Sequence, residues 1–359
     1  MISLLVFILI FGILIVVHEF GHFIMAKKVG IRVEKFSLGF GKALFNKKKG
    51  DTDYIISAVP LGGYVKLAGD SAEEFKGKPD EYLSKTAGQR AAVIFSGPLL
   101  NYLLGFFVFW LIFFTGYPTD TTKVGRLKEG FGAQKAGLQS GDRITAVDGV
   151  KVKYFGDLQN IIFAKKESSV AKLTVMRDDK ELNFDVGLQE TEGKDLFGKK
   201  VSVGLIGIEP SGEKVIVRHG FAESFLLGLQ RTWDLTLMTY KALWFMITGK
   251  LSVRDSVTGV VGIFVITNNM VHLGLIAVLY LVAALNISLC IFNLLPLPVL
   301  DGGHLFLLGV EKIRKKPLSV KAEQVVTQFG LTLIITLAVL VTINDLVRFK
   351  DKILGFFIK

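Results

Sequence analysis

The chain has 359 residues, half of them apolar and 21% charged, with a mean hydropathy of +0.48. This composition excludes a disordered chain and argues against a wholly water-soluble protein. The single cysteine, Cys290, excludes an intrachain disulfide and a metal site built from several cysteines. The formal net charge is +11, but lysine and arginine lie beside the long apolar runs and not within them, as in membrane proteins. We therefore predict no nucleic-acid partner.

Four apolar runs predict transmembrane helices, at residues 1–26, 91–116, 272–303 and 329–347. The first run lacks the basic start and the small-residue cleavage site of a signal peptide, so we expect it to be retained. The sequence thus predicts a polytopic α-helical membrane protein with about four transmembrane helices.

The first run is interrupted by the motif His18-Glu19-Phe20-Gly21-His22. Positions i and i+4 share one face of a helix, so both imidazoles can reach one zinc ion, and Glu19 beside them can take a proton from water. The alternative is that these are polar residues packed in a helix bundle. We favour the metal site because ionisable groups are costly in a bilayer and are usually functional there.

Residues 27–90 begin with a group of basic side chains, and nothing basic precedes the first run. The positive-inside rule then predicts an amino terminus outside the cell and residues 27–90 in the cytoplasm. Alternating apolar residues in 53–67, with a turn at 60–63, predict a membrane-associated β-hairpin. Its edge can pair with an unwound substrate, although a hairpin that only covers the bundle fits equally well.

The second run carries Gly97, Asn101 and Gly105 at every fourth position. Small residues at that spacing let two helices come close, and the Asn101 amide can hydrogen-bond across the contact. We interpret this pattern as helix packing.

Residues 117–195 predict an inserted β-rich domain outside the membrane. The stretch 133–149 indicates a short helix that ends at Gly137, then a turn and a strand, and 171–177 and 181–186 are strand-like. This order resembles the core of a PDZ domain, a fold that binds peptides at a sheet edge. A spacer that only stabilises the fold is the alternative. Residues 196–271 are expected to be an extracytoplasmic linker with an amphipathic helix at the interface, and 258–271 to be re-entrant or packed against protein.

The third run ends in Asn293-Leu-Leu-Pro296-Leu-Pro298-Val-Leu-Asp301-Gly302-Gly303-His304. Catalytic zinc usually takes three protein ligands, so the two histidines need a partner. The first and third runs both cross from outside to inside, so their ends lie at one depth and Asp301 is the predicted third ligand. A helix cap is its alternative role. His304 is an alternative ligand, whereas His219 and His272 are expected on the far side of the membrane.

The remaining segments are a cytoplasmic loop at 304–328 and a tail at 348–359. The basic residues of 312–321 and the cluster Lys47-Lys48-Lys49 predict topology determinants and a surface for anionic membrane lipid.

The motif at 18–22 in a first run, together with Asn293-x-x-Pro296-x-Pro298-x-x-Asp301 at the end of a third, resembles the site-2 protease family. Within that family it is similar to the bacterial regulator-of-sigma-E type, here with a single PDZ domain. Segments 36–41, 54–69 and 97–101 resemble the family in the same order, so the resemblance covers essentially the whole chain.

The resemblance implies an intramembrane zinc metalloendopeptidase of the bacterial cytoplasmic (inner) membrane, with the PDZ-like domain outside the cytoplasm and no organic cofactor. Its substrates would be single-span membrane proteins, such as anti-sigma factors or remnant signal peptides, cut within their transmembrane segments. By matching position it implies the zinc ligands His18, His22 and Asp301, the base Glu19, and the substrate-binding residues Asn293, Pro296 and Pro298.

Two other functions compete with this one. A non-enzymatic membrane scaffold would use the PDZ-like domain to bind peptides and would need no zinc. A zinc transporter would also use intramembrane histidine and aspartate, but the chain lacks the internal repeats of many transporters.

Overall fold

The computed structural model describes residues 2–165, 170–194, 200–315 and 320–351. The chain forms two compact units. The first, the membrane unit, comprises Met1–Ile112, Ala222–Met246 and Ser252–Lys359. The second, the β-rich unit, comprises Phe113–Phe221 and Ile247–Leu251.

The membrane unit begins with two long helices connected by a pair of strands. In chain order the elements are α1 (Ile2–Lys28), β1 (Val33–Lys49), β2 (Thr52–Leu67), a short 3-10 helix (Tyr82–Ser84) and α2 (Ala87–Thr115). The two helices pack closely where Gly21 faces Ser96. A β-carbon on Gly21 would lie only 2.7 Å from the carbonyl carbon of Ser96, and the Ser96 hydroxyl donates to the Gly21 carbonyl at 2.8 Å. The helix contact therefore depends on a residue without a side chain.

The sheet between α1 and α2 has one edge that is left open. Both strands bend at glycines with positive φ, β1 at Gly39 and Gly41 and β2 at Gly62. Residues 35–38 of β1 have partners on two sides, in 53–56 and in 63–66. The segment 63–67 is paired with β1 alone, and it is therefore an edge strand among the described residues.

The β-rich unit combines a four-stranded sheet with three strand pairs. Its elements are β3 (Tyr117–Asp120), β4 (Val124–Leu127), α3 (Gly132–Lys135), β5 (Arg143–Val147), β6 (Val150–Lys151), α4 (Phe155–Phe163), β7 (Val170–Arg177), β8 (Lys180–Gly187), β9 (Gln189–Lys194), β10 (Lys200–Leu205), β11 (Ile208–Pro210) and β12 (Lys214–Val217). The sheet has the order β6-β5-β7-β8, and the pairs are β9 with β10, β4 with β11 and β3 with β12. The predicted strands at 171–177 and 181–186 are thus confirmed. The unit extends past residue 195, because β11 pairs with β4 and β12 pairs with β3.

A partly buried ion pair holds the loop after α3 in the β-rich unit. The Asp142 side chain is 1% exposed and receives hydrogen bonds from Arg177 Nε and Nη2, at 2.6 and 2.7 Å. The Gln139 N–H adds a third, at 2.8 Å. Burial alone would raise the pKa of Asp142, but these hydrogen bonds outweigh it and the pKa is lowered.

The rest of the membrane unit is helical. It consists of α5 (Phe221–Ile247), α6 (Val253–Ser256), α7 (Val260–Leu273), α8 (Leu275–Asn293), α9 (Asp301–Arg314) and α10 (Val320–Arg348). Helix α9 and the start of α10 occupy much of the stretch expected to be a loop at 304–328. Residues 316–319 of that stretch, and 352–359 of the predicted tail, lie outside the described residues.

Among the described residues, five helices are long and apolar enough to cross a bilayer: Ile2–Lys28, Ala87–Thr115, Val253–Leu273, Leu275–Asn293 and Gln324–Arg348. The predicted class, a polytopic α-helical membrane protein with a β-hairpin and an inserted β-rich domain, is confirmed. The hairpin is formed by β1 with β2, however, and not within 53–67, because residues 53–56 and 63–66 both pair with β1 and not with each other. The segment Val253–Leu273 adds one candidate to the predicted four.

That additional segment is interrupted at 257–259, so its continuous part, α7, has only 14 residues. A helix of that length is about 21 Å long, which is shorter than the about 30 Å of a hydrocarbon core. It packs against α1, where the Phe7 and Phe264 rings lie 5.6 Å apart and the Ser3 hydroxyl donates to the Asn268 amide oxygen at 2.7 Å. Helix α7 is thus packed against protein, one of the two arrangements expected.

Candidate metal centre

Three side chains from two distant parts of the chain converge in the membrane unit. His18 and His22 lie one turn apart on α1, and Asp301 is the first residue of α9. His18 Nε2 is 3.1 Å from His22 Nε2 and 3.1 Å from Asp301 Oδ2, and His22 Nε2 is 3.6 Å from Asp301 Oδ1. Among the residues that the structure describes, this is the only cluster of three or more His, Cys, Asp or Glu able to share a metal ion. We call these three residues the metal cluster.

These separations fit zinc. Four ligands placed tetrahedrally at about 2.0–2.1 Å from zinc lie about 3.3 Å from one another. The two Nε2 atoms lie 3.1 Å apart, and the nearest carboxylate oxygen of Asp301 is Oδ2 for His18, at 3.1 Å, and Oδ1 for His22, at 3.6 Å. Two imidazoles and one carboxylate are also a donor set that catalytic zinc sites use, with the fourth position open. The residues present therefore fit the metal.

Helix α2 orients both imidazoles from behind. His22 Nδ1 is 2.8 Å from the Val93 carbonyl oxygen, to which it donates, so His22 Nε2 is left to bind a metal. His18 Nδ1 is 3.3 Å from the side-chain amide of Asn101 and 3.5 Å from that of Asn293. Because Nδ1–H needs an acceptor, we orient the Asn101 amide with its oxygen toward His18. The buried Asn101 oxygen otherwise has no hydrogen-bond partner.

The structure shows what each glycine of the second run contacts. A β-carbon on Gly97 would lie 2.5 Å from Cε1 of the His22 ring and closer still to Nε2. One on Gly105 would lie 2.7 Å from Ile287 Cγ1 on α8. Gly97 thus makes room for a predicted ligand, and Gly105 makes room for a neighbouring helix. The sequence indicated close packing here but did not indicate which partner each glycine meets.

Glu19 lies between the metal cluster and the edge strand. The backbone N–H of Val65 in β2 donates to its carboxylate. A β-carbon on Gly63 would come within 3.1 Å of Glu19 Cγ. The open strand 63–67 and the predicted base are therefore immediate neighbours.

The chain between α8 and α9 is irregular, because its two prolines disfavour helix at the residues before them. Asn293 is the last residue of α8, and Val299 has a positive φ of 80°. Pro298 packs against α10, where a β-carbon on Gly330 would lie 2.7 Å from the Pro298 carbonyl oxygen. Pro296 is exposed. The structure therefore brings Asn293 to His18, whereas it records no contact of Pro296 or Pro298 with the metal cluster.

The other histidines weighed in the sequence lie elsewhere. His304 is on the first turn of α9 with an exposed side chain, and His272 is exposed near the end of α7. His219 belongs to the β-rich unit. None of the three is part of the metal cluster.

Comparison with known proteins gives consistent matches along the chain. A family model described as peptidase family M50 matches residues 6–337. A protein of Agrobacterium fabrum is 34% identical over 358 residues, covering 95% of this chain and 94% of the relative. The zinc metalloprotease RasP of Geobacillus kaustophilus is 30% identical, covering 97% of this chain and 98% of RasP. The regulator of sigma-E protease RseP of Escherichia coli is 29% identical, covering 95% of this chain and 98% of RseP.

A solved structure is also similar to part of the chain. It is the PDZ domain of an SdrC-like protein from Listeria monocytogenes, with 27% sequence identity and a TM-score of 0.21. The match covers 25% of this chain and 87% of that domain.

The family match extends over the first helix, the β-rich unit and the segment that ends at Asp301, and RasP and RseP align over nearly their whole length. The predicted resemblance is confirmed, and a scaffold without enzymatic activity is no longer needed to explain the chain. Its long apolar helices make it an integral membrane protein. The chain therefore belongs to peptidase family M50, the site-2 proteases, and is an intramembrane zinc metalloprotease.

Proposed function

We propose that His18, His22 and Asp301 bind the catalytic zinc ion and that Glu19 moves the protons of the reaction. The observation that carries this assignment is the convergence of the two Nε2 atoms and the Asp301 carboxylate, whose nearest separations of 3.1–3.6 Å are close to those between ligands of tetrahedral zinc. The position of Asp301 at the start of α9 supports it, because Gly302 and Gly303 let the chain turn tightly against residues 294–297. A side chain on either glycine would overlap that backbone.

The chemistry is hydrolysis of a peptide bond. When bound, zinc supplies a Lewis acid that polarises the scissile carbonyl and makes water more acidic. Glu19 accepts a proton from the attacking water and passes it to the leaving nitrogen as the C–N bond breaks. The Val65 N–H fixes one side of the Glu19 carboxylate during this transfer. The Nδ1 contacts of His18 and His22 keep both Nε2 atoms facing inward.

The substrate is a single-span membrane protein, of the kind represented by anti-sigma factors and remnant signal peptides. A transmembrane helix hides its carbonyl groups in its own hydrogen bonds, so it must unwind before it is cut. The edge strand 63–67 offers backbone groups that can replace those lost bonds, directly beside Glu19. Asn293, which contacts His18, is positioned to hold the unwound chain, with Pro296 and Pro298 shaping the adjoining wall.

The enzyme resides in the bacterial cytoplasmic membrane, with residues 27–90 on the cytoplasmic side and the β-rich unit on the opposite side. The distribution of lysine and arginine supports this orientation. The metal cluster then lies toward the cytoplasmic end of α1, because His22 is six residues before Lys28.

Two variants test the roles of Glu19 and Asp301. Glu19→Gln keeps the size of the side chain but cannot accept the proton, so cleavage of a single-span reporter in proteoliposomes is expected to fall by at least about 10²-fold. Zinc content, measured by mass spectrometry, should stay at one ion per chain. Asp301→Ala should instead lose bound zinc, while His304→Ala, at an exposed position on the same helix, should retain it.

Two results would contradict these roles. Undiminished cleavage by Glu19→Gln would remove Glu19 as the base. Unchanged zinc content in Asp301→Ala would remove Asp301 from the metal site.

A further inference from the structure

The helix that carries Asp301 is held by few buried side chains. Along α9 the buried residues are Gly302, Gly303 and Leu308. Phe306 is 59% exposed and Ile313 is 84% exposed. The two glycines seat the amino-terminal turn against residues 294–297. Because few of its side chains are fully buried, a contact at the far end of α9 adds to what holds the helix in place.

An ion pair connects that far end to α2. Arg90, in the first turn of α2, donates from Nη2 to Glu311 Oε2 at 3.3 Å, and the two side chains are 17% and 21% exposed. Glu311 is ten residues after Asp301, which corresponds to about 15 Å along the helix axis. Arg90 and Glu311 are 221 positions apart in the chain. The pair therefore fixes α9 at the end opposite its metal ligand.

The surroundings of the pair are shielded from water. Tyr82 packs against a buried apolar cluster that includes Leu67 and Val93. Burial raises the pKa of Tyr82 to about 12, and the charges of Arg90 and Glu311 act on it as well. Ion pairs in such surroundings are screened by salt less than exposed pairs.

Helix α2 also holds the two histidines. Val93, three residues after Arg90, accepts the hydrogen bond from His22, and Asn101 contacts His18. Helix α2 thus contacts two ligands directly and the third through the Arg90–Glu311 pair.

We propose that the Arg90–Glu311 ion pair is a positioning contact, which fixes α9 against α2 and thereby holds the Asp301 carboxylate at zinc-binding distance from the histidines. It rests on the zinc site proposed above. Neither residue touches the metal cluster, so both act through Asp301. Arg90 and Glu311 thereby become determinants of metal affinity at a distance from the metal.

Zinc affinity of the full-length protein in detergent, measured by competition with a chelator, tests this role. Arg90→Gln and Glu311→Gln should each weaken zinc binding by about 10- to 100-fold, the range typical for residues that support a metal ligand. The charge exchange Arg90→Glu with Glu311→Arg should recover at least part of that loss. Arg32→Gln is the matched control, because Arg32 pairs with Asp80 and Glu34 in the same unit but makes no contact with α9.

Thermal unfolding of the metal-free variants separates positioning from general destabilisation. We expect the Arg90, Glu311 and Arg32 variants to lose a similar amount of melting temperature. Zinc affinity should fall in the Arg90 and Glu311 variants and stay unchanged in Arg32→Gln. Equal weakening in Arg32→Gln, or no recovery on charge exchange, would overturn the positioning role. Wild-type affinity in both single variants would overturn it as well.

The proposed zinc site has its own control in His18→Ala. Suppose that the wild type binds zinc, that His18→Ala does not, and that Arg90→Gln binds it with unaltered affinity. This result would overturn the positioning role alone. Zinc binding that His18→Ala leaves undiminished would overturn the zinc site and, with it, the role of the ion pair.

Discussion

Gly97→Ala provides a sharp test of the metal centre, because it adds one methyl group at the point where α2 faces His22. The new β-carbon would lie 2.5 Å from Cε1 and 2.9 Å from Cδ2 of the imidazole. Carbon atoms in contact normally lie about 3.5–4.0 Å apart, so the ring or the helix must move by about 1 Å. Metal sites tolerate errors of only about 0.2 Å in ligand distance. His22 should therefore be lost as a ligand.

The expected result is a loss of zinc affinity of at least about 100-fold, which equals about 2.8 kcal/mol. Alanine is a better helix former than glycine by about 1 kcal/mol, so helix propensity acts in the opposite direction and cannot explain the loss. Chelator competition gives the affinity, and proteolysis of a single-span reporter should fall with it.

Two further glycines on α2 serve as controls. Gly88→Ala meets no atom within 4 Å and should leave zinc binding unchanged. Gly105→Ala would place its β-carbon 2.7 Å from Ile287 and 2.9 Å from the Ala283 carbonyl oxygen, so it should destabilise the helix contact without lowering zinc affinity. Wild-type zinc affinity in Gly97→Ala would refute the reasoning, since the geometry leaves no room for both the methyl group and a bound His22.

Two more predictions concern a hydrogen bond and a pH dependence. Asn101→Ala removes the amide beside His18 Nδ1 and should weaken zinc binding about 10-fold. Asn286 is a buried asparagine that bonds within its own helix, so Asn286→Ala should leave zinc binding unchanged. Equal zinc affinities in the two variants would contradict the role of Asn101. The pKa of Asp142 is lowered in the folded β-rich unit, so its contribution to stability is present above the unfolded value of about 3.9 and is lost as the pH falls through the lower folded value. Asp142→Asn replaces charge-assisted hydrogen bonds by neutral ones and should therefore destabilise this unit by about 2 kcal/mol at pH 7 and by less at pH 3. Hydrogen exchange in residues 113–221 measures the effect, and Asp185→Asn, at an exposed position, should change little. A pH-independent effect would contradict the ion-pair explanation.

The sequence alone determined the features that depend on neighbouring residues. The spacing of His18 and His22 places them on one helix face, whatever the rest of the chain does. Long uncharged runs determined α1, α2, α8 and α10 as membrane helices, because only a helix satisfies its backbone groups in a bilayer. The two strand-like segments 171–177 and 181–186 are joined by a short turn at Asp178-Asp179, which both have positive φ in the structure.

The prediction of Asp301 as the third ligand needed one further step of reasoning. The parity of the membrane crossings predicted that Asp301 lies at the depth of the histidines, and the structure brings it to 3.1 Å from His18. Depth restricts position along the membrane normal only. The remaining two dimensions were determined by the packing of α9 and by the irregular chain at 294–300.

Only the tertiary structure decided which faces meet. Nothing local to Gly97 indicates that it faces His22, and nothing local to Arg90 indicates a partner 221 positions away. The lysine-rich residues 42–49 gave no strand signal, yet they form part of β1 because β2 supplies hydrogen-bond partners. Periodicity and propensity are properties of a few consecutive residues, whereas these contacts depend on how whole helices and strands pack.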